Sequence, residues 1–153
     1  MLRERIEEDF RQAMKAHDAG RVSVLRLLRS AIVNAVIAAR TSVKQSLDDA
    51  DVENVIRQEA KKLKDALQDF TKAARHDLVV ATQDELAVLQ SYLPSELGAA
   101  ELEVMVSNVA EQVKKSGVAD FGRIMGAVMR EVKGRADGET VAEAVRRALA
   151  PHP

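Results

Sequence analysis

Phe121, Ile124, Met125, Val128, Met129 and Val132 fall at i, i+3, i+4, i+7, i+8 and i+11, and the same rhythm runs through nearly the whole chain. Such a repeat places side chains along one stripe of a helix turning every 3.6 residues, whereas a half-buried strand needs alternation at every second residue. No alternating run is long enough to read as a strand, so the expected fold class is all-α. The six residues named above are expected to be core.

Other segments carry the same period. Leu2, Ile6, Phe10, Ala13 and Met14 predict a first helix, with Glu4, Glu7, Glu8 and Asp9 in its opening turns where the helix dipole favours anions, ending near Asp18-Ala19-Gly20. Leu25, Leu28, Ile32, Ala35, Val36 and Ala39 predict a second. Val52, Ile56, Leu63, Leu67, Phe70 and Ala74 make the seam of the longest helix, capped by Ser46 or Asp49. After a break at Arg75-His76-Asp77, Thr82-Gln83-Asp84-Glu85 has the form of a capping box and predicts the start of a helix carrying Leu86, Leu89 and Leu93. Pro94 has no amide to donate and disfavours helical geometry at Leu93, so the domain boundary is placed there. The expected organisation is an N-terminal domain of about four helices at 1–93 and a three-helix domain at 94–153. In the latter, Leu102, Met105, Val106, Val109 and Val113 predict a helix stopping around Lys115-Ser116-Gly117, and Val141, Val145 and Leu149 predict a last one ending before Pro151.

Composition narrows the chemistry. The chain has no cysteine, which excludes disulfides, thiolate metal sites and cysteine nucleophiles. Aromatic residues are scarce at 3%, which removes the stacking platforms common in single-strand nucleic-acid binders. MLRERIEEDF lacks the apolar run of a signal peptide, and no segment approaches about 18 uncharged apolar residues; a cytoplasmic location without a membrane partner is expected. The net charge of −1 conceals an asymmetry. Residues 1–45 hold nine bases and five acids, 46–120 eight and fifteen, and 121–153 six and four. Basic ends favour an anionic partner, and the acidic middle suits a protein-interaction adaptor.

Three basic features follow. Arg26, Arg29, Arg40 and Lys44 fall within about 60° on the second helix, forming a solvated face or a phosphate-facing stripe that Val33 and Ile37 interrupt. Lys61, Lys62 and Lys64 lie near Glu59, Asp65 and Asp69 and read as a solvated, partly neutralised face. In VKGRADGETV, Gly134 sits where a left-handed residue closes a helix, and Asp137 sits where an N-cap accepts from amides near Glu139 and Thr140. Capping leaves Lys133 and Arg135 unexplained, with Arg123 and Arg130 a heptad apart on the face away from the core. These four residues, beside a helix start that attracts anions, could hold a phosphate backbone. Arg75 with Asp77 reads as a structural pair at a turn. The scattered His17, His76 and His152 suggest no metal site, and no phosphate-loop, zinc or nucleophile-elbow motif is present, so neither a cofactor nor a catalytic residue is assigned.

LRLLRSAIVNAVIAAR at 25–40, AARHDL at 73–78, ELAVLQSYLP at 85–94, and MGAVMREVKGRADGETV preceded by FGRI together resemble the YqeY-like family over nearly the whole chain. The C-terminal part is also similar to the tail domain of the B subunit of glutamine-dependent aminoacyl-tRNA amidotransferases. That resemblance implies a helical domain followed by a three-helix tail. It further implies a tail that contacts tRNA through Lys133, Gly134, Arg135 and Gly138, with Arg123 and Arg130 as weaker additions. The function expected is therefore a non-catalytic tRNA or RNA-binding module, acting alone or beside an amidotransferase or other translation proteins. A carbon–nitrogen ligase using glutamine is the alternative that the resemblance implies, and a protein adaptor is the second. Two departures stand out: Val79-Val80-Ala81 follows the Arg-x-Asp-Leu where the family often has acids, and Gly98 replaces a hydroxyl residue at a helix start.

Overall fold

The computed structural model describes residues 1–41 and 46–150, and among them seven α-helices and no strand are found. The chain divides into two compact units, Met1–Leu93 and Pro94–Pro153.

In the first unit, α1 (Leu2–Lys15), α2 (Ala19–Arg40), α3 (Asp49–Lys72) and α4 (His76–Gln90) enclose one apolar core. It is built from Ile6 and Phe10 of α1, Val24, Leu25, Leu28 and Ile32 of α2, Val52 and Ile56 of α3, and Leu86 and Leu89 of α4. α2 is the central helix and packs on the other three. By length and composition α2 could cross a membrane, which corrects the expectation that no segment approaches such a span. The reason is placement: a window that leaves out Arg21 and Arg40 holds only Arg26 and Arg29.

The turns show why the helices stop where they do. His17 adopts a left-handed backbone at φ 54, and the amide of Asp18 donates back to the Ala13 carbonyl at 3.0 Å, closing α1. The Asp18 carboxylate then accepts from the amide of Arg21 at 3.1 Å and starts α2. Gly20 therefore lies in the first turn of α2 and is not a stop. α3 is capped by neither Ser46 nor Asp49. Asp48 accepts from the Asp51 amide at 2.9 Å, and Asp51 reciprocates from the Asp48 amide at 3.0 Å. Asp49 instead accepts from the Leu2 amide at 3.1 Å, tying the starts of α1 and α3.

At the end of α3, Ala74 is left-handed at φ 55 and the Arg75 amide donates to the Phe70 carbonyl at 3.0 Å, so α4 begins at His76. Thr82-Gln83-Asp84-Glu85 consequently does not start a helix; it lies inside α4, with Thr82 buried in the packed face. Four residues of capping pattern are compatible with a helix interior as well as with a start, and the turn upstream decided the case. The far half of the α3 seam, Leu63, Leu67 and Phe70, is only half-buried.

In the second unit, α5 (Ala99–Ser116), α6 (Phe121–Val132) and α7 (Gly138–Leu149) all pack on one another. Leu102, Val106 and Val109 meet Ile124, Val128, Val132, Val141 and Val145 in a core without aromatic rings. Burying each such side chain stabilises by about 1.5–3 kcal/mol relative to leaving it exposed. Of the six apolar residues on α6, Ile124, Val128 and Val132 are fully buried, Met125 is half-buried, and Phe121 and Met129 are each 38% exposed. Two partner helices cover a narrower arc than the apolar stripe spans. α6 and α7 are capped by Asp120, which accepts from the Arg123 amide at 2.8 Å, and by Asp137, which accepts from the Thr140 amide at 2.7 Å. At α5, extended Gly98 donates its amide to the Glu101 carboxylate at 3.1 Å, supplying the half of a capping box that needs no N-cap side chain.

Candidate nucleic-acid interface

The turn from α6 to α7 is built on two consecutive left-handed residues, Lys133 at φ 48 and Gly134 at φ 76. The helix therefore closes one residue earlier than its glycine suggests, and Lys133 occupies a backbone region that costs a residue with a Cβ about 1–2 kcal/mol. The Arg135 amide donates to the Val132 carbonyl at 2.9 Å and completes the reversal. Lys133 and Gly134 are exposed, and Gly138 opens α7 with nothing within 4 Å of a Cβ built on it.

Arg135 is placed differently from its neighbours. It is half-buried, its Nε donates to the Ser95 carbonyl at 2.9 Å, and its own carbonyl accepts from the Leu97 amide at 2.8 Å. Its backbone and side chain thus strap residues 95–97 to the turn. At the start of α7, the Asp137 carboxylate already accepts a helix-start amide, so an incoming anion would compete with a tethered one.

On α6 the candidates share an outward side. Arg123 and Arg130 are exposed and a heptad apart. Arg123 lies 3.9 Å from Asp120 and folds to within 3.6 Å of the Cβ position of Gly117, so part of its charge is answered locally. Sequence reasoning missed the arginines of α7. Arg146 stacks over the half-exposed Phe121 ring at 5.7 Å, and Arg147 lies 3.8 Å from Glu103 of α5. Their adjacency in a last helical turn signals a dipole role; the contacts themselves depend on packing. Over the whole of 94–153 the charges nearly cancel, eight bases minus nine acids giving −1, so any anion binding here depends on local placement.

The α2 stripe does not remain whole. Arg29 turns inward: its Nε donates to both oxygens of Glu7 at 2.9 and 3.0 Å, and its guanidinium lies 4.2 Å from the Phe10 ring centre. Arg26 and Arg40 stay exposed, and Lys44 lies outside the described residues. Arg75 grips Asp77 through two hydrogen bonds of 3.2 and 3.1 Å, both side chains facing solvent. That guanidinium holds the Asp77 carboxyl below its ordinary value, with backbone amides adding to the effect. Lys62 pairs with Glu59 at 2.6 Å on the solvated face of α3. Among the described residues no group of three or more His, Asp or Glu gathers as a metal site would require; His17 lies in the turn after α1, His76 opens α4, and His152 lies outside the described residues.

Comparison with known proteins adds two kinds of likeness. The chain is 29% identical over 149 residues to altered inheritance of mitochondria protein 41, mitochondrial, of Pyrenophora tritici-repentis (strain Pt-1C-BFP), covering 95% of this chain and 79% of that protein. It is 29% identical over 113 residues to the protein of the same name from Lachancea thermotolerans (strain ATCC 56472 / CBS 6340 / NRRL Y-8284), covering 72% of this chain and 59% of the relative, less than two thirds of its length. Both names carry the word mitochondrial, which overturns the cytoplasmic location expected from composition. A chain without cysteine suits any reducing aqueous compartment, and composition does not say which. Residues 3–149, nearly the whole chain, match the family described as Yqey-like protein, and the chain belongs to that family.

Proposed function

We propose that the chain divides its work at Pro94, with residues 94–153 acting as a non-catalytic RNA-binding module that takes tRNA on the outer side of α6 and its following turn. The observation that carries this reading is the exposure of Arg123, Arg130 and Lys133 on one helix and its C-cap, with Lys133 held in a left-handed conformation. Left-handed residues also close α1 at His17 and α3 at Ala74, so the bend is an ordinary helix stop, and what supports the reading is the cation that this one exposes beside Arg123 and Arg130. Gly134 and Gly138 add no side chain of their own where a phosphate backbone would approach. Arg135 serves chiefly to position the turn through Ser95 and Leu97.

Three phosphate contacts imply a slope of log affinity against log salt of about −2 to −3. The test is filter binding of total tRNA across a salt series, comparing the wild type with Arg130→Ala/Lys133→Ala. The variant is expected to bind more weakly and to flatten the slope by about 2. Salt-independent binding, or the same slope in both proteins, would refute the reading.

A further inference from the structure

Along the outer side of α2, Ser23, Arg26, Ser30, Val33, Ile37 and Arg40 follow at intervals of three and four residues, so they form one straight seam. An average step near 3.5 is the spacing that a second helix running alongside fills, knob by knob. The core side of the same helix is Val24, Leu25, Leu28 and Ile32, so the seam faces away from the unit's interior. Val33 is 50% and Ile37 56% exposed, with Arg26 and Arg40 exposed on either side of them. Leu27, beside the seam, is 60% exposed as well, so this helix carries more hydrocarbon than its own core uses.

Charge says what kind of partner fits. α2 has no acid in its 22 residues, and with Arg29 held by Glu7, the exposed seam is positive at both ends. Neither Arg26 nor Arg40 forms an ion pair among the described residues. The two arginines are 14 positions apart, about 21 Å along the helix axis. A second copy of the same seam would set arginine against arginine in either direction. A membrane-lying helix needs a wide apolar arc with aromatic anchors, whereas this seam offers two aliphatic side chains between cations and has no aromatic residue. An RNA backbone would leave those two side chains without a role.

We propose that the outer face of α2 docks an amphipathic helix of a partner protein, apolar at its centre and bearing Asp or Glu about 14 residues apart at its ends. Val33 and Ile37 fill the apolar centre, while Arg26 and Arg40 set register and direction by charge.

The probe is a synthetic helical peptide of about three heptads, with leucine and isoleucine at the central seam positions and Glu at the outer ones. Its binding to the full chain is read by fluorescence anisotropy. Saturable binding is expected. Arg26→Glu/Arg40→Glu should weaken it about tenfold or more and confer binding of the matching peptide with Lys ends; Val33→Ser/Ile37→Ser should weaken both pairings. Arg130→Ala/Lys133→Ala should bind the peptide as the wild type does, which separates this surface from the RNA reading. Equal affinity of the charge-reversed protein for the acidic peptide would overturn the proposal. So would absence of peptide binding together with Arg26-dependent binding of phosphatidylserine vesicles or of tRNA, which would make the seam a lipid or phosphate contact.

Discussion

Replacing Lys133 by glycine should stabilise the second unit while removing a charge from its proposed RNA face. At φ 48 and ψ 40 the residue pays the left-handed penalty, about 1–2 kcal/mol for any side chain with a Cβ. Glycine escapes that penalty but loses about 0.4–1 kcal/mol through the greater freedom of its unfolded chain. The net gain over Lys133→Ala is about 0.5–1 kcal/mol, and because both variants lack the lysine side chain, their difference isolates the backbone. Amide hydrogen exchange at buried Val128 and Val145 reports the opening of this unit. Exchange there should be about two- to fivefold slower in Lys133→Gly than in Lys133→Ala, since 1.4 kcal/mol is a factor of ten. Both variants should bind tRNA equally weakly. Equal exchange rates, or faster exchange in the glycine variant, would show that the left-handed backbone at 133 stores no strain.

Further predictions follow from particular contacts. The Tyr92 hydroxyl donates to Asp9 at 2.6 Å, and burial together with that carboxylate pushes its pKa far above the ordinary 10. A raised folded pKa means full stability below about pH 10 and loss as pH rises beyond it. The first unit should therefore weaken above that pH in the wild type but not through this group in Tyr92→Phe, and tyrosinate absorbance reports it cleanly because the chain has one tyrosine. Val128→Ala, at a fully buried site, should cost about 2–3 kcal/mol in urea denaturation, and Met129→Ala, 38% exposed one residue later, less than about 1. Equal losses would mean that the face of α6 turned to the core is misassigned. Arg29→Ala should destabilise the first unit by about 1 kcal/mol through loss of the Glu7 pair and the Phe10 stack; no loss would return Arg29 to the solvated stripe.

What the sequence determined by itself is what neighbours determine. The all-α class, the apolar repeat that buries Ile124, Val128 and Val132, and the cap at Asp137 all involve residues within one or two turns. Glycine at 134 correctly marked a helix end, although the left-handed bend begins on Lys133, because helix closure depends on where packing stops as well as on which residue bends most easily. Of the candidate interface, the exposed cations of α6 and the turn were legible. The role of Arg135 was not, since its partner Ser95 is 40 positions away. The same holds for Arg29, whose carboxylate is 22 positions away on α1, and for Tyr92, whose partner is separated by 83. Periodicity says which side of a helix is apolar, but not how wide an arc the neighbouring helices cover, and so Phe121 and Met129 could be placed only by the assembled fold. Local hydrogen bonding is encoded within a few residues, whereas the choice between a solvated charge and a paired one is made when distant helices meet.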